Sequence, residues 1–183
     1  MTTYYVSDTG DNGAGTSWAT AKTTLAGAIA LATASGDVIL VDKDHTGDSA
    51  LAADTTWTVL NNLSIVCVDK DASDALAAMG EAAWLGSSSA SIALTFAGAY
   101  RCRLHGLTLR NGGSTNKSIQ VCSTDGGHFE LSDVMAWLGT TSGSAFFNIG
   151  PIVVGNGFVY ADGLTVRFGT AGQSIADRKS TRL

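Results

Sequence analysis

The stretch Leu104-His105-Gly106-Leu107-Thr108-Leu109 decides the fold, because its pattern of apolar residues occurs three more times along the chain. The pattern is an apolar residue, two corner residues, an apolar residue, any residue and another apolar residue. Side chains alternate between the two faces of a strand, so a spacing of three between inward residues indicates a corner where the alternation restarts. The other three stretches are Leu60-Asn61-Asn62-Leu63-Ser64-Ile65, Leu131-Ser132-Asp133-Val134-Met135-Ala136 and Ala161-Asp162-Gly163-Leu164-Thr165-Val166.

The spacing of the four stretches is that of a solenoid. They begin at residues 60, 104, 131 and 161, at intervals of 44, 27 and 30 residues. The two shorter intervals suit one coil of a β-solenoid, and the longest suits a coil with a loop inserted at residues 69–91. Each coil leaves a strand edge for the next coil to pair with, so we expect parallel sheets around a continuous apolar interior.

Before the repeats, residues 19–34 predict a single α-helix. The segment is rich in Ala, and its apolar residues are spaced as one helical stripe. Thr16 or Ser17 suits the N-cap, and Ser35-Gly36 suits the C-cap. The stripe consists of Leu25, Ala28, Ile29 and Ala32.

Two predicted strands flank this helix, one at Tyr4-Tyr5-Val6 and one at residues 37–41. No helical period reappears later in the chain. We therefore predict an all-β protein, a parallel β-helix with an N-terminal capping α-helix. The cap of strand, helix, strand and loop spans residues 1–56, and the coils span residues 57–176 and are incomplete at their C-terminal end.

The capping segment also carries a resemblance. Tyr4-Tyr5-Val6-Ser7, Gly15-Thr16-Ser17-Trp18-Ala19 and Gly36-Asp37-Val38-Ile39 resemble the N-terminal cap of right-handed parallel β-helix proteins of the pectate-lyase-like superfamily. Within that group the chain looks most like the tailspike, tail-fibre and other virion proteins of tailed bacteriophages, over about residues 4–168. The resemblance implies a right-handed helix, a homotrimer, a place in the virion and a host-surface glycan as partner.

The last seven residues, 177–183, differ from the rest of the chain. They carry four charges, whereas only 15% of all residues are charged. We interpret this segment as a non-native tail that resembles translated adapter sequence, and we expect the natural chain to diverge near Ala176 and to continue.

Composition excludes several classes of protein. With 183 residues, 45% of them hydrophobic, the chain can bury a core, and its single Pro excludes collagen. The longest apolar stretch, residues 25–34, is shorter than the roughly 20 residues of a membrane span, and the first residues lack the features of a secretory signal. The formal net charge is −5, and ten Asp lie within residues 1–74, which argues against a nucleic-acid partner.

The three cysteines, Cys67, Cys102 and Cys122, are odd in number and lie in apolar, strand-like runs. We predict that they are reduced and buried.

Equal offsets from the corner should stack as columns on the outer surface, because strands of successive coils lie about 4.8 Å apart. One column contains an aromatic residue between two arginines, which allows guanidinium and indole to stack. We expect an ion pair between Arg103 and Glu130 of a second column. The predicted columns are Arg110, Trp137 and Arg167; Arg103, Glu130 and Tyr160; and Arg101, His128 and Phe158 with Trp57.

Arg110, Trp137, Arg167 and Tyr160 are the candidate glycan-binding residues. Flat aromatic rings pack against sugar faces, and arginines bind the carboxylates and hydroxyls of acidic glycans. The alternatives are a self-satisfied surface ladder and a contact with a neighbouring subunit of a trimer.

Asp133 and Asp162 are the candidate catalytic pair, because they occupy corner positions of successive coils. Glycoside hydrolysis needs two carboxylates about 5–9.5 Å apart. The alternative is that both residues only bond their own turns.

Metal and cofactor signals are weak. Three Asp-rich loops, around Asp8, Asp42 and Asp69, have spacings that suit Ca²⁺, but none ends in the bidentate Glu of a complete binding loop, so we interpret them as solvated loops and expect no cofactor. The three His lie far apart and no Cys accompanies them, which argues against zinc.

The leading hypothesis is a phage-type virion protein, structural or receptor-binding, that contacts host-surface polysaccharide. The alternatives are a polysaccharide lyase or glycoside hydrolase of the same fold, with Arg110 or Arg167 as substrate clamp, and a bacterial cell-surface adhesin.

Overall fold

A computed structural model of the chain describes residues 1–72, 82–87, 89–90, 92–112, 117–138, 146–149, 156–167 and 174–177. Within these residues lie one α-helix, α1 (Leu25–Leu31), and fifteen β-strands. The strands are β1 (Thr3–Val6), β2 (Asp37–Asp42), β3 (Thr55–Thr58), β4 (Leu63–Val68), β5 (Ala82–Ser87), β6 (Leu94–Ala97), β7 (Arg101–His105), β8 (Leu107–Asn111), β9 (Ser118–Val121), β10 (His128–Ser132), β11 (Met135–Leu138), β12 (Phe146–Ile149), β13 (Phe158–Asp162), β14 (Thr165–Arg167) and β15 (Ser174–Asp177).

The strands form three parallel sheets that the chain visits in rotation. Sheet A has the order β1-β2-β4-β7-β10-β13, sheet B the order β5-β8-β11-β14, and sheet C the order β3-β6-β9-β12-β15. From β3 onward, successive strands lie in sheets C, A and B in turn, which makes about four coils. The prediction of a parallel β-helix with one short N-terminal helix is therefore confirmed.

The predicted register is confirmed for three of the four repeats. Before the corner, Leu131 pairs with Leu104 on one side and with Ala161 on the other. After the corner, Ala136 pairs in the same way with Leu109 and Val166. The inward residues of the coils of Leu104 and Leu131 are buried in one apolar core, and Leu164 and Val166 of the following coil pack against it, partly buried.

The corner itself is a column of left-handed backbone. Gly106, Asp133 and Gly163 have φ angles of 71°, 49° and 74°. The Gly106 amide donates to the Ser132 carbonyl and the Asp133 amide donates to the Asp162 carbonyl, both at 3.0 Å. Gly, Asn and Asp tolerate this conformation best, so these residue types fix where these three coils turn from sheet A into sheet B.

The prediction was wrong for the first repeat. Leu63 and Ile65 pair with Cys102 and Leu104, the residues before the corner, and Leu60 is 56% exposed. Asn62 belongs to a different turn, where its carbonyl accepts from the Gly36 amide at 2.8 Å. Asn suits turns in general, so an Asn pair between apolar residues does not identify which turn it forms.

The helix is also shorter than predicted. It begins at Leu25 rather than at residue 19, and its N-cap is Thr24, whose hydroxyl accepts from the Gly27 amide at 3.2 Å. The preceding residues pair with β1 instead, since the Lys22 amide donates to the Tyr5 carbonyl at 2.9 Å. The C-cap is Ala32, so the helix ends before Ser35-Gly36.

Trp57 does not belong to an outer column. It lies in β3 of sheet C, is 2% exposed, and packs on Phe96 with a ring-centroid distance of 4.9 Å. The three cysteines are free and buried, as predicted. Burial raises the pKa of Cys67 to about 12, so its thiol is unreactive at neutral pH.

Within the described part of the chain, no helix is long and apolar enough to cross a membrane. Residues 178–183 of the predicted tail, and residues 73–81, 88 and 91 of the predicted loop insertion, lie outside the described residues.

Candidate functional site

The outer face of sheet B carries the predicted column of Arg110, Trp137 and Arg167. Trp137 in β11 pairs with Arg110 in β8 and with Arg167 in β14. The Arg110 Cζ atom lies 3.8 Å from the Trp137 ring centroid, and the Arg167 Cζ atom lies 4.6 Å from it. The three side chains are therefore brought together, with a cation in each strand that flanks the indole.

Trp84 extends this column, and sequence reasoning missed it. The Arg110 Cζ atom lies 4.9 Å from the Trp84 ring, and the Trp84 and Trp137 rings are 5.7 Å apart at 73°. A bulge in β5, with Ala83 as the extra residue at a φ of 48°, shifts the register at this point. Such a bulge leaves no periodic signal. We call Trp84, Arg110, Trp137 and Arg167 the Arg–Trp row.

The two cations of the Arg–Trp row have no carboxylate partner among the described residues. Partial burial and the charge of Arg167 lower the pKa of the Arg110 guanidinium, which stays cationic at neutral pH. Stacking on indole stabilises each exposed cation by roughly 0.5–1 kcal/mol. The row is consequently a fixed, uncompensated positive site.

Tyr160 is not part of this row. It lies in β13 of sheet A, beyond the corner, where it pairs with Glu130 and is 57% exposed. The structure thus separates the four predicted glycan-binding residues into three on sheet B and one on sheet A.

The ion pair on sheet A differs from the prediction. Glu130 pairs in register with Arg103, but its Oε1 atom accepts from the Nε and Nη2 atoms of Arg101, the former at 3.0 Å. The Arg101 hydrogen bond lowers the pKa of Glu130, although partial burial opposes it. The charge of Arg103 also helps to lower this pKa, but within the described residues no hydrogen bond or ion-pair contact joins Arg103 to Glu130. The long Arg101 side chain reaches diagonally across the ladder, which a register argument does not reveal.

Asp133 and Asp162 remain a predicted catalytic pair, and the structure places them at the corner. Asp162 pairs with Ser132, the residue before Asp133. The Asp133 carboxylate lies over Gly163, where an added Cβ would be only 2.6 Å from its Oδ1 atom. The His105 Nδ1 atom is 3.7 Å from the Asp133 Oδ2 atom.

Replacing Asp133 tests its role in the left-handed corner. We expect Asp133→Val to lower the free energy of unfolding by about 1–2 kcal/mol, because a β-branched residue disfavours a positive φ. Asp133→Asn is the matched control and should stay close to wild type. Urea unfolding measures both variants, and equal stability of Val and Asn at this position would contradict the corner assignment.

A buried network in the cap was missed by sequence reasoning. The His45 side chain is 0% exposed, with its Nδ1 atom 2.6 Å from Asp8 Oδ1 and its Nε2 atom 2.9 Å from Asp48 Oδ2. Asp48 Oδ2 also accepts from the Leu25 amide at 2.7 Å, at the start of α1. Asp8 accepts from the amides of Thr46 and Gly47 at 2.8 and 2.9 Å.

The structure corrects the interpretation of the Asp-rich loop around Asp42 and Asp48 as solvated. Asp48 and Asp42 are buried rather than exposed, and Asp42 binds Lys70 Nζ at 2.9 Å and the Ser7 hydroxyl at 3.0 Å. The described residues contain no group of three or more His, Cys, Asp or Glu arranged to hold a metal ion. Their carboxylates instead hold the cap together.

No family model, no curated protein and no solved structure matches the chain. The fold defines the class of protein, a parallel β-solenoid with an N-terminal helix. Its candidate site is the Arg–Trp row on the outer face of sheet B.

Proposed function

We propose that this protein is a bacteriophage-type virion component, structural or receptor-binding, that contacts host-surface polysaccharide through the Arg–Trp row. The observation that carries the proposal is the pair of guanidiniums on either side of Trp137, which have no carboxylate partner among the described residues. Such a pair attracts anionic or hydroxyl-rich ligands, and host-surface polysaccharides offer both groups.

In this proposal the members of the row have different roles, and the stacking contacts support the division. Both guanidiniums lie over the Trp137 ring, so the main role of the ring is to hold the two cations in place. The guanidinium N–H groups bind ligand oxygens, and the Trp84 side chain, which is 39% exposed, offers an apolar surface to a sugar ring. Strands hold all four residues, which lowers the entropic cost of binding.

The virion assignment is supported by the resemblance of the cap to phage β-helix proteins and by the parallel solenoid of the coils. By the same resemblance, the protein assembles as a homotrimer. Sequencing the parent gene and its neighbours tests the assignment: we expect capsid and tail genes, and a setting among metabolic genes would contradict it. Light scattering of the full-length protein tests the trimer.

Trp137→Ala tests the row. We expect the variant to bind an acidic polysaccharide at least about fivefold more weakly than wild type, because both guanidiniums lose the ring that orients them. The measurement is binding to an immobilised polysaccharide panel, with the melting temperature recorded in parallel. Tyr100→Ala is the control, since it removes a 46% exposed aromatic residue outside the row.

The possible outcomes separate the candidate functions. Wild-type-like binding by a folded Trp137→Ala variant would refute the role of the row, and loss of folding would assign Trp137 to the scaffold. Soluble sugar products released by the wild-type protein would instead favour the polysaccharide lyase or glycosidase alternative, and binding without cleavage favours the proposal.

A further inference from the structure

We propose that a depression on the outer face of sheet A is a second, separate binding site that takes the carboxylate of an acidic sugar. The inference rests on the proposed function for the ligand class, since both assume a polysaccharide partner. The second site uses residues that differ from those of the Arg–Trp row, and the corner column lies between sheet A and sheet B. The two sites can therefore be tested independently.

The depression lies where the cap meets the first coils. Its volume is about 140 Å³. Pockets for drug-sized ligands measure roughly 300–1,000 Å³, so this one suits a single sugar residue. Its lining consists of Gly36, Asn62, Leu63, Ser64, Arg101, Arg103 and Glu130.

One wall of the depression is fixed by hydrogen bonds. Arg101 donates through its guanidinium to Glu130 and through its amide to Asn62 Oδ1 at 3.1 Å. Asn62 Nδ2 donates to the Ser35 hydroxyl at 2.9 Å. Glu130 also has the His128 Nε2 atom at 3.8 Å. The single carboxylate of the depression is thus already engaged by Arg101.

Arg103 supplies a positive charge that no direct contact holds. Its side chain is exposed, and within the described residues it makes no hydrogen bond or ion-pair contact, although its charge acts on Glu130. A guanidinium presents planar, paired N–H donors that match a carboxylate in two parallel hydrogen bonds. With Glu130 committed to Arg101, Arg103 is the group that an incoming carboxylate would bind.

The rest of the surface suits a sugar better than a bare anion. Gly36 has a φ of 88°, and nothing lies within 4 Å of where its Cβ would be, so the space above it is open. Tyr160, two strands away from Arg103 in the same column, offers an exposed ring on which a neighbouring sugar can stack. A chain of two or three sugars would span these groups.

Titration of the full-length protein with glucuronate, followed by amide NMR shifts, tests the site. We expect the amides of Gly36 and Ser64 to shift, and Arg103→Gln to weaken the affinity by about tenfold or more, because a charged hydrogen-bonded pair is lost. Lys117→Gln is the matched control: it removes the same charge from a side chain that pairs with Asp54 instead. Its affinity should equal that of wild type.

Three results would overturn the inference. If glucose binds as tightly as glucuronate, the carboxylate has no role in binding. If acetate or inorganic phosphate binds as tightly, the site is a simple anion site. If Arg103→Gln binds glucuronate with unchanged affinity, Arg103 is not the binding residue. Failure of the proposed function is a separate result: polysaccharide binding would then be insensitive to Trp137→Ala, while glucuronate still shifts the sheet A amides.

Discussion

Leu107→Asp is expected to abolish the folded state. Leu107 is 0% exposed and lies just after the corner, with coils stacked on both sides of it. An unpaired carboxylate in this interior costs several kcal/mol, which is comparable to the roughly 5–15 kcal/mol that stabilises a typical domain. Circular dichroism during heating should show no cooperative transition. Val134→Asp, at the corner of the next coil, should behave in the same way.

The control for these substitutions is Thr56→Asp. Thr56 lies in β3 with its side chain exposed, so the same charge enters a strand without burial. We expect its melting temperature to stay within a few degrees of wild type. A cooperative, wild-type-like transition in both Leu107→Asp and Val134→Asp would show that the proposed interior is not the core.

His45→Gln is expected to destabilise the protein by about 3 kcal/mol at a pH where His45 is protonated, because it leaves Asp8 and the buried Asp48 without the ring that bridges them. Chemical unfolding measures the loss. His128→Gln is the matched control on a half-exposed histidine, and its effect should be less than about 1 kcal/mol. Equal effects of the two substitutions would contradict the buried network.

The same network predicts a pH dependence. Burial lowers the pKa of His45, but its hydrogen bond to the Asp48 carboxylate and the charges of Asp48 and Asp8 outweigh this effect, so the pKa lies above its ordinary value. The contribution of His45 is therefore complete below the unfolded pKa of about 6.5 and is lost as the pH rises through the folded pKa. The difference in unfolding free energy between wild type and His45→Gln should shrink as the pH rises through the folded pKa of His45. A difference that stays constant with pH would contradict a protonated His45.

The coils could be predicted from the sequence because their signal is local. The pattern of Leu104, Leu107 and Leu109 records both the strand alternation and the corner, and the same pattern in the next two coils gives the correct register. The Arg110–Trp137–Arg167 column follows from that register alone. Where one coil resembles the next, residue spacing is enough to predict which residues stack on one another.

Other features depend on contacts between distant residues and left no such pattern. The alanines before Leu25 favour a helix, but pairing with β1 prevails over that propensity. Asp8 and His45 are 37 positions apart and meet only when the cap closes, and the bulge at Ala83 that positions Trp84 breaks the repeat. The start of the helix, the buried histidine network and the position of Trp84 all depend on tertiary contacts.

The pairing of residues 15–22 with β1 covers part of the outer edge of sheet A at its N-terminal end. β1 is the first strand of sheet A, and the amides of Tyr5 and Ser7 donate to the carbonyls of Gly15 and Lys22 at 2.8 and 3.0 Å. A segment of the same chain thus occupies the outward hydrogen-bonding groups of Tyr5 and the amide of Ser7. The covered stretch leaves fewer free hydrogen-bonding groups for a strand of another molecule, which disfavours edge-to-edge polymerisation at the N-terminal end of sheet A.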